Sequence, residues 1–139
     1  MARKKDVKIA GIVTLYNPSD KDIKNISTYI DDIDKLYIID NTEGNDNKSR
    51  IPKNKKIEYT FKNENIGVAA ALNIGAKKAI KDGFKYLLTL DQDTTFKPKV
   101  MDMLKDAINK FNMDEVGIIT PWHNTKIKLN EIDDECLDK

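Results

Sequence analysis

Cysteine is nearly absent from this 139-residue chain: Cys136 is the only one. That excludes an internal disulfide and any zinc site built from several cysteines, and it suits a reducing compartment. The expected location is therefore the cytoplasm. Histidine also occurs once, at His123, where a surface histidine without function is the plainer reading beside that of a metal ligand. Neither charge dominates, with 24 Lys+Arg against 23 Asp+Glu and a net charge of +1. No global field therefore favours nucleic acid or an anionic membrane. Long apolar runs are missing too, since none approaches the roughly 18–20 residues that span a bilayer. The opening MARKKDVKIAGIV joins basic to apolar residues, but charges interrupt it and no small-residue cleavage site follows, so it reads as a strand and not as a signal peptide. No GxxxxGK[ST] occurs, which excludes a P-loop kinase or ATPase. No internal repeat is visible.

What is present is an ordinary globular chain with 40% apolar and 34% charged residues and a polar-leaning mean hydropathy of −0.58. The length fits one domain with a real core. Residues 7–15, VKIAGIVTL, are nearly continuous apolar and β-branched, as in a central strand covered on both faces. Ser19 with Asp22 forms a helix cap, and Ile23, Ile26, Ile30 and Ile33 follow at helical spacing. A second buried strand, 36–39, ends in Asp40-Asn41. Residues 43–56 are a polar loop, and 56–61 alternate as an edge strand does. Val68, Ala71, Leu72, Gly75, Ala76, Ala79 and Ile80 form one apolar helical face that Gly83 stops. A strand at 86–90, a helix at 98–111 and a fifth short strand at 116–119 complete the pattern. The order β-α-β-β-α-β-α-β implies an α/β fold with a mostly parallel sheet and helices on both faces. Ligands sit at the carboxyl ends of the strands in such sheets.

Three strand ends collect on that rim. They are Thr14 to Asn17, Asp40-Asn41, and Asp91-Gln92-Asp93. A buried strand ending in two carboxylates one residue apart aims both out of the sheet, where they repel each other unless a cation or a set of donors shares them. Hard divalent ions take carboxylate oxygens and bridge to substrate phosphates, so the triplet points to a metal–diphosphate site. Its plain alternative is a solvated turn. Tyr16 offers a flat face for a nucleobase and Asp40 an acceptor for a base N–H, although Asp also caps turns well. Asn65, Gly67, Asn73 and Gly75 interrupt an alanine-rich helix start that favours anions. For Gly75 tight helix–sheet packing is the preferred reading, and for Asn65 and Asn73 packing and ligand contact stand level.

The ordered set GIVTLYNP, IIDNTEG, NENIGVAAALNIGAKKA and LLTLDQDTTF resembles the family 2 glycosyltransferases, and its last two pieces look most like the bacterial rhamnosyltransferase branch. The resemblance covers residues 7–121. It implies the Rossmann-like GT-A fold of nucleotide-diphospho-sugar transferases and transfer of a sugar from a dTDP- or UDP-sugar donor to a glycan or lipid-linked acceptor, with inversion. By that analogy Thr14, Tyr16 and Asp40 hold the base, and Asn65 and Asn73 line the same pocket. Asp91 lies near ribose and metal, and Asp93 binds Mg²⁺ or Mn²⁺ on the diphosphate.

The family's general base comes from a carboxyl-terminal half, and no counterpart is visible here. Residues 1–121 then form the donor-binding domain, and 122–139 a polar tail that opens a missing acceptor half. Glu131, Asp133, Asp134 and Glu135 read as a solvated charge run. The chain is accordingly expected to bind nucleotide and metal but to turn over poorly alone. Trp122 reads equally as a sugar-stacking face or as packing. The lysine-rich loop 48–56 reads as solvated, with attraction to an anionic membrane or lipid-linked acceptor as the alternative. Two rivals remain. One is a non-catalytic nucleotide-binding or partner-docking domain of the same fold. The other is a haloacid-dehalogenase-like phosphatase, whose DxDxT motif LDQDTT fits loosely but which places that motif on its leading strand.

Overall fold

The computed structural model describes residues 6–120. Strand β1 (Ile9–Leu15) is buried almost throughout, because both its faces are covered. Ile9, Val13 and Leu15 pack on one side, and Ala10 and Ile12 on the other. It pairs in parallel with β2 (Lys35–Asp40) and with β4 (Tyr86–Asp91), while β3 (Ile57–Phe61) pairs outside β2. The order is β3-β2-β1-β4. This is the mostly parallel α/β sheet expected, with β3 at an edge.

Helices cover both faces. Helix α2 (Val68–Lys81) lays Ala79, Leu72 and Ala76 on Ala10, Ile12 and Tyr37. The opposite face takes helix α1 (Asp20–Asn25), the residues that follow it, and helix α3 (Val100–Lys110) through Met101, Leu104 and Ile108. Helix α2 lies so close to the sheet that a Cβ on Gly75 would stand 2.4 Å from Ile12 Cγ2. Ile12 is a buried β-branched residue of the central strand and cannot swing aside. Gly75→Ala is therefore expected to cost about 1–3 kcal/mol through overpacking, read as a lowered midpoint in urea. An unchanged midpoint would show that the helix can lift off at no cost. Gly83, at φ +86°, ends the helix in the left-handed region that favours glycine.

Two expectations need correction. The Ser19–Asp22 capping box forms, but the helix stops at Asn25, and two 3-10 turns, Ile26–Thr28 and Ile30–Asp32, carry the chain onward. Ser27 Oγ donates to the Lys24 carbonyl and Thr28 Oγ1 to the Asn25 carbonyl, each at 2.7 Å. Such hydroxyl bonds compete with the helical ladder. The isoleucines at 23, 26, 30 and 33 are buried regardless. Residues 116–119 form no strand. They run beside β4 without pairing, and Gly117 to Thr120 line, together with Lys85 to Thr89, a groove of about 590 Å³. Ile118 is consequently 87% exposed. The tail from 122 onward, with Trp122, His123, Cys136 and the acidic run, lies outside the described residues.

Candidate active site

The carboxyl ends of β1 and β4 meet side by side, with Thr14 in register with Asp91. On a parallel sheet such partners point to the same face, here that of α2. Between these strand ends and the first turns of α2 is a cleft of about 330 Å³, lined by Thr14, Tyr16, Val68, Leu72, Thr89, Leu90, Asp91 and Gln92. Among the described residues the only charged one lining the larger groove along β4 is Lys85. The smaller cleft brings together Thr14, Tyr16, Asp91 and Gln92.

Tyr16 follows the last residue of β1 and is 43% exposed, a large ring turned to solvent at the end of a mostly buried strand. Val68, 59% exposed, and Leu72 supply an apolar wall. Thr14 Oγ1 is buried with no hydrogen-bond partner. A flat ring with one polar edge suits that combination.

The Asp-Gln-Asp triplet sits on a closed turn. The Thr94 amide donates to the Asp91 carbonyl at 3.0 Å, and the Asp91 amide donates back to Thr94 Oγ1 at 3.1 Å. The threonine after the triplet thus fixes the turn from both directions. The Asp91 and Asp93 side chains are exposed. Neither carboxylate accepts a hydrogen bond or ion pair among the described residues, and no third His, Cys, Asp or Glu joins them in a cluster there. Two unshared carboxylates fit Mg²⁺ or Mn²⁺, ions that keep waters and take remaining ligands from phosphate. They do not make a closed all-protein cage. Asp91 and Asp93 would be the holders.

Asp40 is placed differently from the expectation that it reads a base. Its side chain is fully buried and already engaged. Oδ1 accepts from the Thr42 amide at 2.9 Å. Oδ2 accepts from Asn47 Nδ2 at 2.9 Å, from the Asn47 amide at 3.3 Å and from the Tyr59 hydroxyl at 2.5 Å. Burial by itself raises the carboxyl pKa, but the bonds from Tyr59, Thr42 and Asn47 outweigh it and hold the group below the ordinary carboxylate value. Burial and the bond to Asp40 push the Tyr59 phenol well up. Asp40 is thereby the tie that folds the 41–50 loop onto β3.

The next residue takes the opposite face of that strand end. Asn41 is 1% exposed, its amide donates to the Leu15 carbonyl at 2.8 Å, and its Nδ2 donates to the Gly67 carbonyl at 3.3 Å, where α2 begins. Its Oδ1 has no partner. Strand alternation was the available signal: Asp40 shares a face with Leu36 and Ile38, whereas Asn41 shares one with Tyr37 and with α2. Asn65 Oδ1 accepts from the Gly67 amide at 3.1 Å and so shapes the approach to α2. Asn73 is exposed on α2 and does not line the cleft. The geometry therefore brings Thr14, Tyr16 and Asp91 together, with Asp93 on the same turn. Asp40, Asn65 and Asn73 stand outside.

No helix among the described residues is long and apolar enough to cross a membrane. No curated protein and no solved structure matches the chain. The model of glycosyl transferase family 2 matches residues 20–134, a stretch that takes in α1, β2, β3, α2, β4 and α3 and with them the whole acidic turn. A parallel α/β sheet with this cleft at its carboxyl edge agrees with that match, and the chain belongs to glycosyl transferase family 2.

Proposed function

We infer that the cleft binds the nucleotide-diphosphate part of a sugar donor, and that the protein transfers the sugar to a hydroxyl of a glycan or lipid-linked acceptor. The observation that carries this reading is the sharing of one cleft by an exposed tyrosine ring, an unpartnered threonine hydroxyl and a turn bearing two unshared carboxylates. Tyr16, Val68 and Leu72 suit the base. The N-terminus of α2 borders the same space through Val68, and its first amides have no intrahelical partner and favour a phosphate.

As the bond from the anomeric carbon to the diphosphate breaks, negative charge grows on the leaving oxygen. Among the described residues no lysine or arginine lines the cleft to meet it. A divalent ion held by Asp91 and Asp93 would stabilise that leaving group as a Lewis acid. Inversion also requires a base for the acceptor hydroxyl, and Asp91 is the only carboxylate lining the cleft among the described residues. We therefore assign the described residues to donor binding. The resemblance of NENIGVAAALNIGAKKA and LLTLDQDTTF to the bacterial rhamnosyltransferase branch favours rhamnose among sugars.

Calorimetric titration with dTDP, UDP and GDP, each with and without Mn²⁺, tests the reading. Binding that Mn²⁺ strengthens and that prefers one base is the expected result. Equal heats with and without the metal would refute the role given to the acidic turn. No binding of any nucleotide would refute the donor site.

A further inference from the structure

Gln92 stands between the two carboxylates of the turn, yet both ends of its side chain are spent on the scaffold. Its Oε1 accepts from the Tyr16 amide at 2.9 Å, across 76 residues of sequence. Its Nε2 donates to Asp22 Oδ2 at 3.5 Å, and its carbonyl accepts from Asn25 Nδ2 at 3.4 Å. Asp22 is itself fixed, because the Ser19 amide and hydroxyl each donate to the same oxygen at 2.8 Å. The register between β1 and β4 ends at Thr14 and Asp91. Beyond it the Tyr16 amide finds no main-chain acceptor on β4, and the glutamine side chain replaces one. A neutral amide does this without adding charge to a corner that already holds Asp22, Asp91 and Asp93.

We propose that Gln92 is a positioning residue that sets the distance between the Tyr16 ring and the Asp91–Asp93 turn, so that the base end and the metal end of one nucleotide are gripped together. The proposal rests on the donor-binding reading of the cleft. Gln92 touches no reacting atom. Its effect reaches the ligand through Tyr16 on one side and through the turn on the other.

Gln92→Met keeps the length and removes both side-chain hydrogen bonds, while Gln92→Glu keeps an acceptor for the Tyr16 amide. Three quantities separate positioning from mere stability. They are the affinity for Mn²⁺ alone by electron paramagnetic resonance, the affinity for Mn²⁺ with whichever of UDP and dTDP binds the wild type more tightly, and the exchange rate of the Tyr16 amide hydrogen. Gln92→Met is expected to weaken the Mn²⁺–nucleotide complex about tenfold, a change worth about 1.4 kcal/mol. Affinity for Mn²⁺ alone and the melting temperature should stay near wild type, and Tyr16 exchange should quicken. Gln92→Glu should restore slow exchange. Wild-type nucleotide affinity in Gln92→Met overturns the proposal, and so does a uniform loss of both affinities with the melting temperature. Wild-type protein that binds no nucleotide overturns the donor reading and the coupling with it. Tyr16 exchange would then still reveal whether the glutamine contact itself exists.

Discussion

Asp40→Ala is expected to destabilise the protein by about 3–5 kcal/mol, because it removes the shared acceptor of a buried hydrogen-bond network and leaves a cavity. The carboxylate is fully buried and accepts from the Thr42 amide, the Asn47 amide, Asn47 Nδ2 and the Tyr59 hydroxyl. Deleting it leaves the Thr42 amide and the Tyr59 hydroxyl without an acceptor, at about 1–3 kcal/mol each before relaxation. The Asn47 amide, by contrast, keeps the Tyr59 hydroxyl oxygen at 2.8 Å, and Asn47 Nδ2 keeps Thr42 Oγ1 at 3.2 Å. Water can enter from the 43–46 side, where the loop is exposed, so the sum falls short of full additivity. Tyr59→Phe removes one donor and leaves three on the carboxylate, and should cost about 1–2 kcal/mol. Urea denaturation of the two variants checks both figures. A loss below about 1 kcal/mol for Asp40→Ala would contradict its role as the tie between β2, the loop and β3.

The same carboxylate gives a pH signature. Its pKa is held below the ordinary carboxylate value. A group whose folded pKa is depressed contributes stability above its unfolded pKa and loses it as pH falls through the folded value. The wild-type protein should therefore shed this contribution below about pH 4. Glu58 is shifted the same way, first by its bond from Lys78 at 2.6 Å, and Asp22 by Ser19, so acid unfolding is shared. The Asp40 part is isolated as the difference between wild type and Asp40→Ala, which should narrow as pH drops. A gap that stays constant to pH 3 would mean that the Asp40 pKa is the same in the folded and the unfolded protein.

Residue spacing foretold most of the scaffold and less of the site, for a definite reason. Burial on both faces of β1 follows from an unbroken apolar run, and the alternation at Ile57, Tyr59 and Phe61 marks an edge. The close approach of α2 is legible in Gly75 and its neighbouring alanines. Spacing reports which face a residue takes. It does not report whether the groups it meets there are already satisfied. Asp40 and Asn41 are adjacent in sequence and opposite in role, because the donors that consume Asp40 come from positions 42, 47 and 59. Gln92 reads from sequence as a spacer between two acids, since its partners Tyr16 and Asp22 lie about seventy residues upstream. The isoleucines at helical spacing, 23, 26, 30 and 33, do not share one helix for a local reason, the two hydroxyls at Ser27 and Thr28 that bond back to main-chain carbonyls. The strand expected at 116–119 has β-branched residues but no paired edge, and a strand exists only as part of a ladder.

Asp93→Ala is expected to abolish the metal-dependent part of nucleotide binding, a loss of at least about a hundredfold, because even outer-shell partners of a metal site are worth about 10–100-fold in affinity. The carboxylate is exposed and accepts no hydrogen bond among the described residues, so nothing in the fold depends on it. Removing it also relieves repulsion with Asp91, and the melting temperature should stay level or rise slightly. A fall in melting temperature would point to a structural role and would remove the argument that the pair is kept for a ligand. Asp91→Ala should resemble it in metal dependence. Its main chain is held by Thr94 whichever side chain it carries, so the turn itself survives the change. With chelator present, wild type and both variants should bind nucleotide alike through Tyr16, Thr14 and the start of α2, because those groups do not touch the turn's carboxylates. Convergence under chelator would show that base recognition and metal binding are separable halves of one cleft. Divergence under chelator would mean that the carboxylates contact the nucleotide directly, with no ion between them.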